Sequence, residues 1–178
     1  MIKEWELLDS RVDKDYGVFQ IRTKKARSPR TSRVETFYVI EANDWVNIIP
    51  LTDDGKVVMV RQFRHGSKDV TLEIPGGIVE EASSEEAALR ELLEETGFSG
   101  ERVLHLGTTN PNPAIFTNLC HTYLVHNAVK VADSNLDPDE DIDVVLVPVD
   151  EIPSLIRNGT ISHALVLVAF HFLNLYNA

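Results

Sequence analysis

Residues 90–98 read RELLEETGF, and they set Glu91, Glu94 and Glu95 at helical spacings just ahead of a glycine. Side chains three and four apart are neighbours on a helix, and like charges there repel by roughly 0.2–0.5 kcal/mol per pair. No lysine stands between them. Two readings fit: a solvated acidic face, or carboxylates held ready for something doubly positive. On a helical wheel Leu89, Leu92, Leu93 and Thr96 form one stripe and the three glutamates lie nearly opposite it, an arrangement both readings share.

The flanks add direction. Ser83 stands three residues before Glu86, the form of a capping box, which predicts a helix from about residue 84 to Thr96 that Gly97 stops. Upstream, VTLEIPGG (70–77) reads as a strand broken by Pro75 and two glycines. Glycine there lets a backbone approach a ligand or turn sharply. Glutamates are hard oxygen donors suited to Mg²⁺ or Mn²⁺. A metal so held neutralises phosphate oxygens and activates water. A strand, a glycine loop and a carboxylate-bearing helix in succession therefore point to a pyrophosphate site.

The rest of the chain sets the frame. Its 178 residues suffice for one domain with a full core, and 43% apolar with 25% charged residues is the balance of a soluble globular protein. No apolar run approaches the roughly 20 residues that span a bilayer. The opening MIKEWELLDS lacks the basic-then-apolar plan of a secretory signal, and the single cysteine, Cys120, forms no internal disulfide. A reducing cytoplasm is the expected compartment. A net charge of −11 argues against a binder of nucleic-acid polymers, whose footprint is basic. The exception is RTKKARSPRTSR (22–33), with six Lys or Arg in twelve residues. It reads either as a solvated loop or hairpin tip, or as a local patch for an anionic ligand.

Stretches 16–22, 34–41 and 45–52 are rich in β-formers, and KVVMVRQFR follows a DDG turn. RVLHLGTT, HTYLVHNA and IDVVLVPV read as later strands, VDEIPSLIRNG and SHALVLVAFHFLNLY as closing helices. The order predicts an α+β sheet-and-helix domain, with the first forty-odd residues as a small separate sheet joined at EANDW.

GGIVEEASSEEAALRELLEETGF (76–98) closely resembles the box of the Nudix hydrolases, written G-x5-E-x7-R-E-U-x-E-E-x-G-U. Residues 90–98 match its second half completely; in the first half the box glycine falls on Gly76 and the early glutamate on Ala82, with Glu80 or Glu81 as the nearest carboxylates. The resemblance implies a Nudix-type α/β/α sandwich with a mixed central sheet. It implies a β-rich extension at 1–44 that serves in dimerisation, a hydrolase domain at 45–178, and Mg²⁺ (or Mn²⁺) as cofactor. By matching positions, Glu91, Glu94 and Glu95 are the implied metal ligands, with the Gly76 carbonyl a further oxygen. Arg90 is the implied orienter of the glutamates.

Further stretches resemble the ADP-ribose pyrophosphatase branch. Pro113, in GTTNPNPAIFTN (107–118), stands fifteen positions beyond Phe98 as that branch's marker proline does, though a rigid loop explains it equally. In IIPLTDDGKVVMVRQFRHG, Arg64 takes the place of an arginine that contacts the diphosphate, a bidentate task suited to guanidinium. Arg61 is the second arginine there, either a substrate contact or a structural one. Glu73 is either a paired structural carboxylate or a partner behind the metal. The acidic loop NLDPDEDIDV (135–144) reads as a solvated acidic turn or, by the resemblance, as the carrier of a general base, with Glu140 first and Asp139 second; in one alignment the base position falls on Pro138. Trp45 and Trp5 are each candidates either to stack on a nucleobase or to pack in a core or interface.

The histidines at 65, 105, 121, 126, 163 and 171 show no metal-ligand spacing, and Cys120 has no base beside it in sequence. The expected activity is Mg²⁺-dependent hydrolysis of an ADP-ribose-like or nucleotide-sugar diphosphate by a homodimer. Its rivals are another nucleotide class (a dinucleotide or a triphosphate) and a catalytically idle nucleotide-binding module.

Overall fold

The computed structural model describes residues 1–80, 83–138 and 140–178. The chain forms two compact units: Met1–Asn43 with Asn110–Leu119, and Asp44–Thr109 with Cys120–Ala178.

The first unit is an antiparallel sheet of β1 (Glu6–Asp15), β2 (Gln20–Arg27) and β3 (Val34–Glu41), in that spatial order. At the first turn the Asp15 carboxylate accepts from the Gly17 N–H at 2.8 Å, and Gly17 takes a positive φ of 81° that suits glycine. Strand β1 is absent from the sequence reading, and every residue in it is exposed. With neither face buried, ELLDSRVDKD carries no alternation to read, and ladder hydrogen bonds to β2 make the strand. The basic stretch also differs from a plain loop or hairpin tip. Its first half lies within β2, where Thr23 and Ala26 are buried, and only residues 28–33 form the turn. Arg22 pairs with Glu41 at 2.7 Å and Arg27 with Glu6 at 2.9 Å, so part of that positive charge is spent across strands. The 110–119 segment joins this unit through Ile40 N–H to Ile115 O (2.7 Å) and Thr117 N–H to Ile40 O (3.1 Å).

The second unit holds β4 (Trp45–Leu51), β5 (Lys56–Arg64), β6 (Asp69–Glu73), β7 (Gly76–Ile78), α1 (Ser84–Thr96), β8 (Phe98–Ser99), β9 (Arg102–Thr109), β10 (Cys120–His126), β11 (Val129–Lys130), β12 (Ile142–Pro148), α2 (Ile152–Arg157) and α3 (Ala164–Tyr176). Strands β12, β5, β4, β10 and β9 lie side by side, with β6 also paired to β5 and β7 to β4. The β4–β10 pairing is parallel and the others antiparallel, so the central sheet is mixed.

Its strands are apolar runs because both faces are covered. Val46, Ile48, Val58 and Val125 pack with Ala87, Ala88 and Leu92 of α1. Ile49, Val57, Met59 and Leu124 pack with Ile152, Val166, Ala169, Phe170 and Leu173 of α2 and α3. This is the expected α+β sandwich, with α1 on one face and α2 and α3 on the other. At Pro75 the chain changes partner: β6 pairs with β5, then the Pro75 carbonyl accepts from the Ile48 N–H at 2.8 Å and β7 pairs with β4.

Candidate active site

Helix α1 begins and ends where its local signals put it. The Ser83 hydroxyl accepts from the Glu86 N–H at 3.2 Å, and Gly97, at φ 71°, returns its N–H to the Leu93 carbonyl. Its faces differ from the wheel. Glu91 (9% exposed) and Glu95 (3%) sit on the buried side with Ala87, Ala88 and Leu92, while Leu93 is exposed. The reason is the glycine strand β7 beside the helix, which turns two acids inward. The Gly76 N–H donates to Glu95 Oε2 at 3.1 Å. A Cβ on Gly77 would run into the Glu91 carboxylate, so that position must lack one for the acid to lie where it does.

Burial shapes the acids. Desolvation pushes the Glu95 carboxyl up to about 8, with the charge of Glu91 adding and the Gly76 hydrogen bond opposing. Glu91 is raised too, by burial first, against the pull of Arg90. Arg90 Nη2 donates to Glu91 Oε1 (3.0 Å) and to the Ile78 carbonyl (3.3 Å), and Nη1 donates to Glu94 Oε2 (2.7 Å). Arg90 thus ties two of the glutamates to the backbone of β7.

Gly76 and Gly77 also form part of the wall of a cleft of ≈ 640 Å³, with Trp45 and Asn47 on β4, Arg64 on β5, Glu73 on β6, and Ser162 and His163 ahead of α3. The Arg64 guanidinium donates to Glu73 through Nε (2.9 Å to Oε1) and Nη2 (2.7 Å to Oε2). The Thr71 hydroxyl donates to Glu73 Oε1 at 2.6 Å, and His163 Nδ1 lies 3.4 Å from Oε2. Burial opposes the Glu73 charge, yet the Arg64 and Thr71 bonds win and hold its carboxyl below the ordinary value.

A family model described as NUDIX domain matches residues 43–170. The chain belongs to the NUDIX family. Among curated relatives it is 30% identical to the ADP-ribose pyrophosphatase of Bacillus subtilis (strain 168), over 75% of this chain and 73% of that one. It is 28% identical to the methanol dehydrogenase activator of Bacillus methanolicus, over 99% and 93% of the two. A crystal structure titled ADP compounds hydrolase superposes with a TM-score of 0.88 at 17% identity, covering 99% of this chain and 95% of that one, which establishes the shared fold.

Nudix enzymes typically depend on a divalent metal. Among the described residues no group of three or more His, Cys, Asp or Glu side chains is gathered to hold an ion. Glu91 and Glu95 converge on the glycine backbone, and Arg90 bonds both Glu91 and Glu94. The convergent pair fits a hard dication in donor chemistry, since two buried carboxylates that resist ionisation together gain from added positive charge.

Glu140 lies in the loop before β12, where its Oε2 accepts from the Asp137 N–H at 3.1 Å. Its negative charge raises both Glu91 and Glu95, so it stands within electrostatic reach of the Nudix helix. Glu81, Ala82 and Asp139 lie outside the described residues. Arg61 is exposed and sits opposite Asp143 in register, outside the cleft wall. Pro113 belongs to the first unit. Glu73 is paired with Arg64 and Thr71. Sequence reasoning passed over Asn47 and His163, because neither spacing nor residue type marks a side chain whose role comes from a distant strand or helix.

Proposed function

We propose that this Nudix hydrolase cleaves the diphosphate linkage of an ADP-ribose-like or nucleoside-diphosphate-sugar substrate, releasing a nucleoside monophosphate and a sugar phosphate. The observation that carries the reading is the buried Glu91–Glu95 pair set against Gly76 and Gly77, which also line the ≈ 640 Å³ cleft. The name of the Bacillus subtilis relative supports the substrate class.

Glu91 and Glu95, with the Gly76 carbonyl, would hold Mg²⁺ or Mn²⁺, and Glu94 would join them on leaving Arg90. When bound, the ion supplies charge to the phosphate oxygens and lowers the pKa of water. Glu140 takes the proton from the attacking water. Arg90 holds the glutamates in place through the bonds it makes to Glu91 and Glu94. Arg64, fixed by Glu73, presents its remaining N–H groups to a diphosphate oxygen, and Trp45 offers a ring to the base. Arg61 and Pro113 gain no such support from their positions. Exposed apolar side chains of the first unit, Leu7, Val12 and Tyr38 among them, support a homodimer formed there, which light scattering reads directly.

That no three carboxylates are gathered among the described residues favours one second reading, a nucleotide-binding module without turnover. A panel of ADP-ribose, ADP-glucose, a dinucleotide and a triphosphate, incubated with Mg²⁺, separates the two. Release of AMP from ADP-ribose is expected. Nucleotide binding with no hydrolysis of any member would replace the enzyme with the module.

A further inference from the structure

The cleft beside the glycine strand has an end that the hydrolytic chemistry does not use. Helix α3, 13 residues long, starts in its wall: Ser162, His163, Ala164 and Leu165 all line the cleft. Among the described residues no side chain caps that helix, and its first backbone bond runs from the Leu167 N–H to the His163 carbonyl. The N–H groups of Ala164, Leu165 and Val166 therefore precede the intrahelical ladder, at the end of the helix that carries partial positive charge.

A second feature comes from another element. Asn47, on β4, is 8% exposed and lines the same cleft, and its side-chain nitrogen is buried with no hydrogen-bond partner among the described residues. A buried donor left without an acceptor is costly, and its persistence points to an acceptor that arrives from outside. Asn47 follows the alternation of β4, in which Val46 and Ile48 pack toward α1 and Ile49 toward α3, and this puts it on the α3 side of the sheet. The charge of the wall agrees. Glu73 is its one carboxylate among the described residues, and it is already taken by Arg64 and Thr71.

We propose that this donor-rich end binds an anionic oxygen group on the sugar half of the substrate, as in a nucleoside-diphosphate uronic acid. The inference rests on the pyrophosphatase reading, which places the diphosphate at the glycine strand and leaves the sugar to extend along the cleft. Helix amides, the Asn47 amide and Ser162 then meet the anion, and the sugar end rather than the nucleoside sets preference.

Titration calorimetry in EDTA, where no turnover occurs, compares ADP-glucose with ADP-glucuronate, which differ only at C6. Wild type is expected to bind the glucuronate about fivefold more tightly, the scale of an anion at a helix N-terminus joined by a hydrogen bond. Asn47→Asp should erase that gap. Because it buries a charge, Ser162→Glu at an exposed position serves as the second variant, and it too should bring the gap below about twofold. Equal affinities in wild type, binding of neither sugar, or a gap that survives Ser162→Glu in folded protein would overturn the subsite. Turnover of ADP-ribose with Mg²⁺ judges the hydrolytic reading separately. Turnover with equal binding removes only the subsite; a binding gap without turnover removes only the hydrolysis.

Discussion

Glu73 grips Arg64 with both of its oxygens, at 2.9 Å and 2.7 Å, and the two partners differ sharply in exposure: 3% for the Glu73 side chain against 45% for Arg64. The difference makes the pair asymmetric. Removing Arg64 strands a buried carboxylate, whereas neutralising Glu73 leaves a guanidinium that can turn to water. Arg64→Ala should therefore cost about 3 kcal/mol and Glu73→Gln nearer 1 kcal/mol in urea unfolding at neutral pH. The reverse order would mean that Arg64 is held by something other than this pair.

Acid unfolding tests the same pair by its sign. Glu73 has a folded-state pKa below its unfolded value, so the unfolded chain binds its proton more readily. The contribution to stability is complete above the ordinary carboxylate value and is lost as pH falls through the lower folded value. Arg64→Ala removes the main lowering contact, and its acid-unfolding midpoint should move to higher pH than that of wild type.

Glu95 runs the other way. With its carboxyl pushed up to about 8, the metal-free folded protein binds that proton more tightly than the unfolded chain does. The associated stability is full below the ordinary carboxylate value and declines as pH rises toward 8. In EDTA the unfolding free energy should fall across that window by up to about 1.4 kcal/mol per pH unit. Glu95→Gln should flatten the slope, and Mg²⁺ should flatten it in wild type. A wild-type profile in EDTA as flat as the variant's would show that Glu95 ionises freely.

The active-site carboxylates should separate by role. Glu95→Gln is expected to lower kcat by at least about 10²-fold with the fold intact, the loss of a charge contact worth several kcal/mol. Glu94→Gln, at a side chain far more exposed than that of Glu95, should lower it less. Glu140→Gln should lower kcat by about 10²–10⁴-fold if it carries the proton, and a fall of less than about tenfold would place the base elsewhere.

What the sequence revealed follows from how local each signal is. Ser83 and Gly97 bracket α1 through contacts three and four residues away, so a capping pattern suffices to find the helix. The β4, β5 and β10 strands announce themselves because both faces are buried. Burial of Glu91 and Glu95 is different in kind: it depends on β7 arriving from outside the helix, and a wheel that sees only the helix assigns two acids to water. The unmet donor of Asn47 and the contact of His163 with Glu73 are likewise products of packing between distant elements. Strand β1 left no trace for the opposite reason, since nothing covers either of its faces.

The two glycines of β7 offer a test that splits fold from chemistry. A Cβ at Gly76 would meet the Val46 carbonyl, which is backbone of the central sheet and has no room to yield. The three atoms nearest a Cβ at Gly77 all belong to the carboxylate of Glu91, the far end of a flexible side chain. Gly76→Ala should thus lower stability by about 2 kcal/mol or more, in the range of an overpacked core, and reduce the yield of folded protein. Gly77→Ala should unfold near the wild-type temperature yet lose at least about tenfold in kcat, since a displaced Glu91 departs from the geometry on which a positioned charge acts. Scanning calorimetry and Mg²⁺-dependent turnover, measured on both variants, read the two effects apart. Full activity in Gly77→Ala would mean that Glu91 serves the chemistry from some other position than the one it holds beside β7.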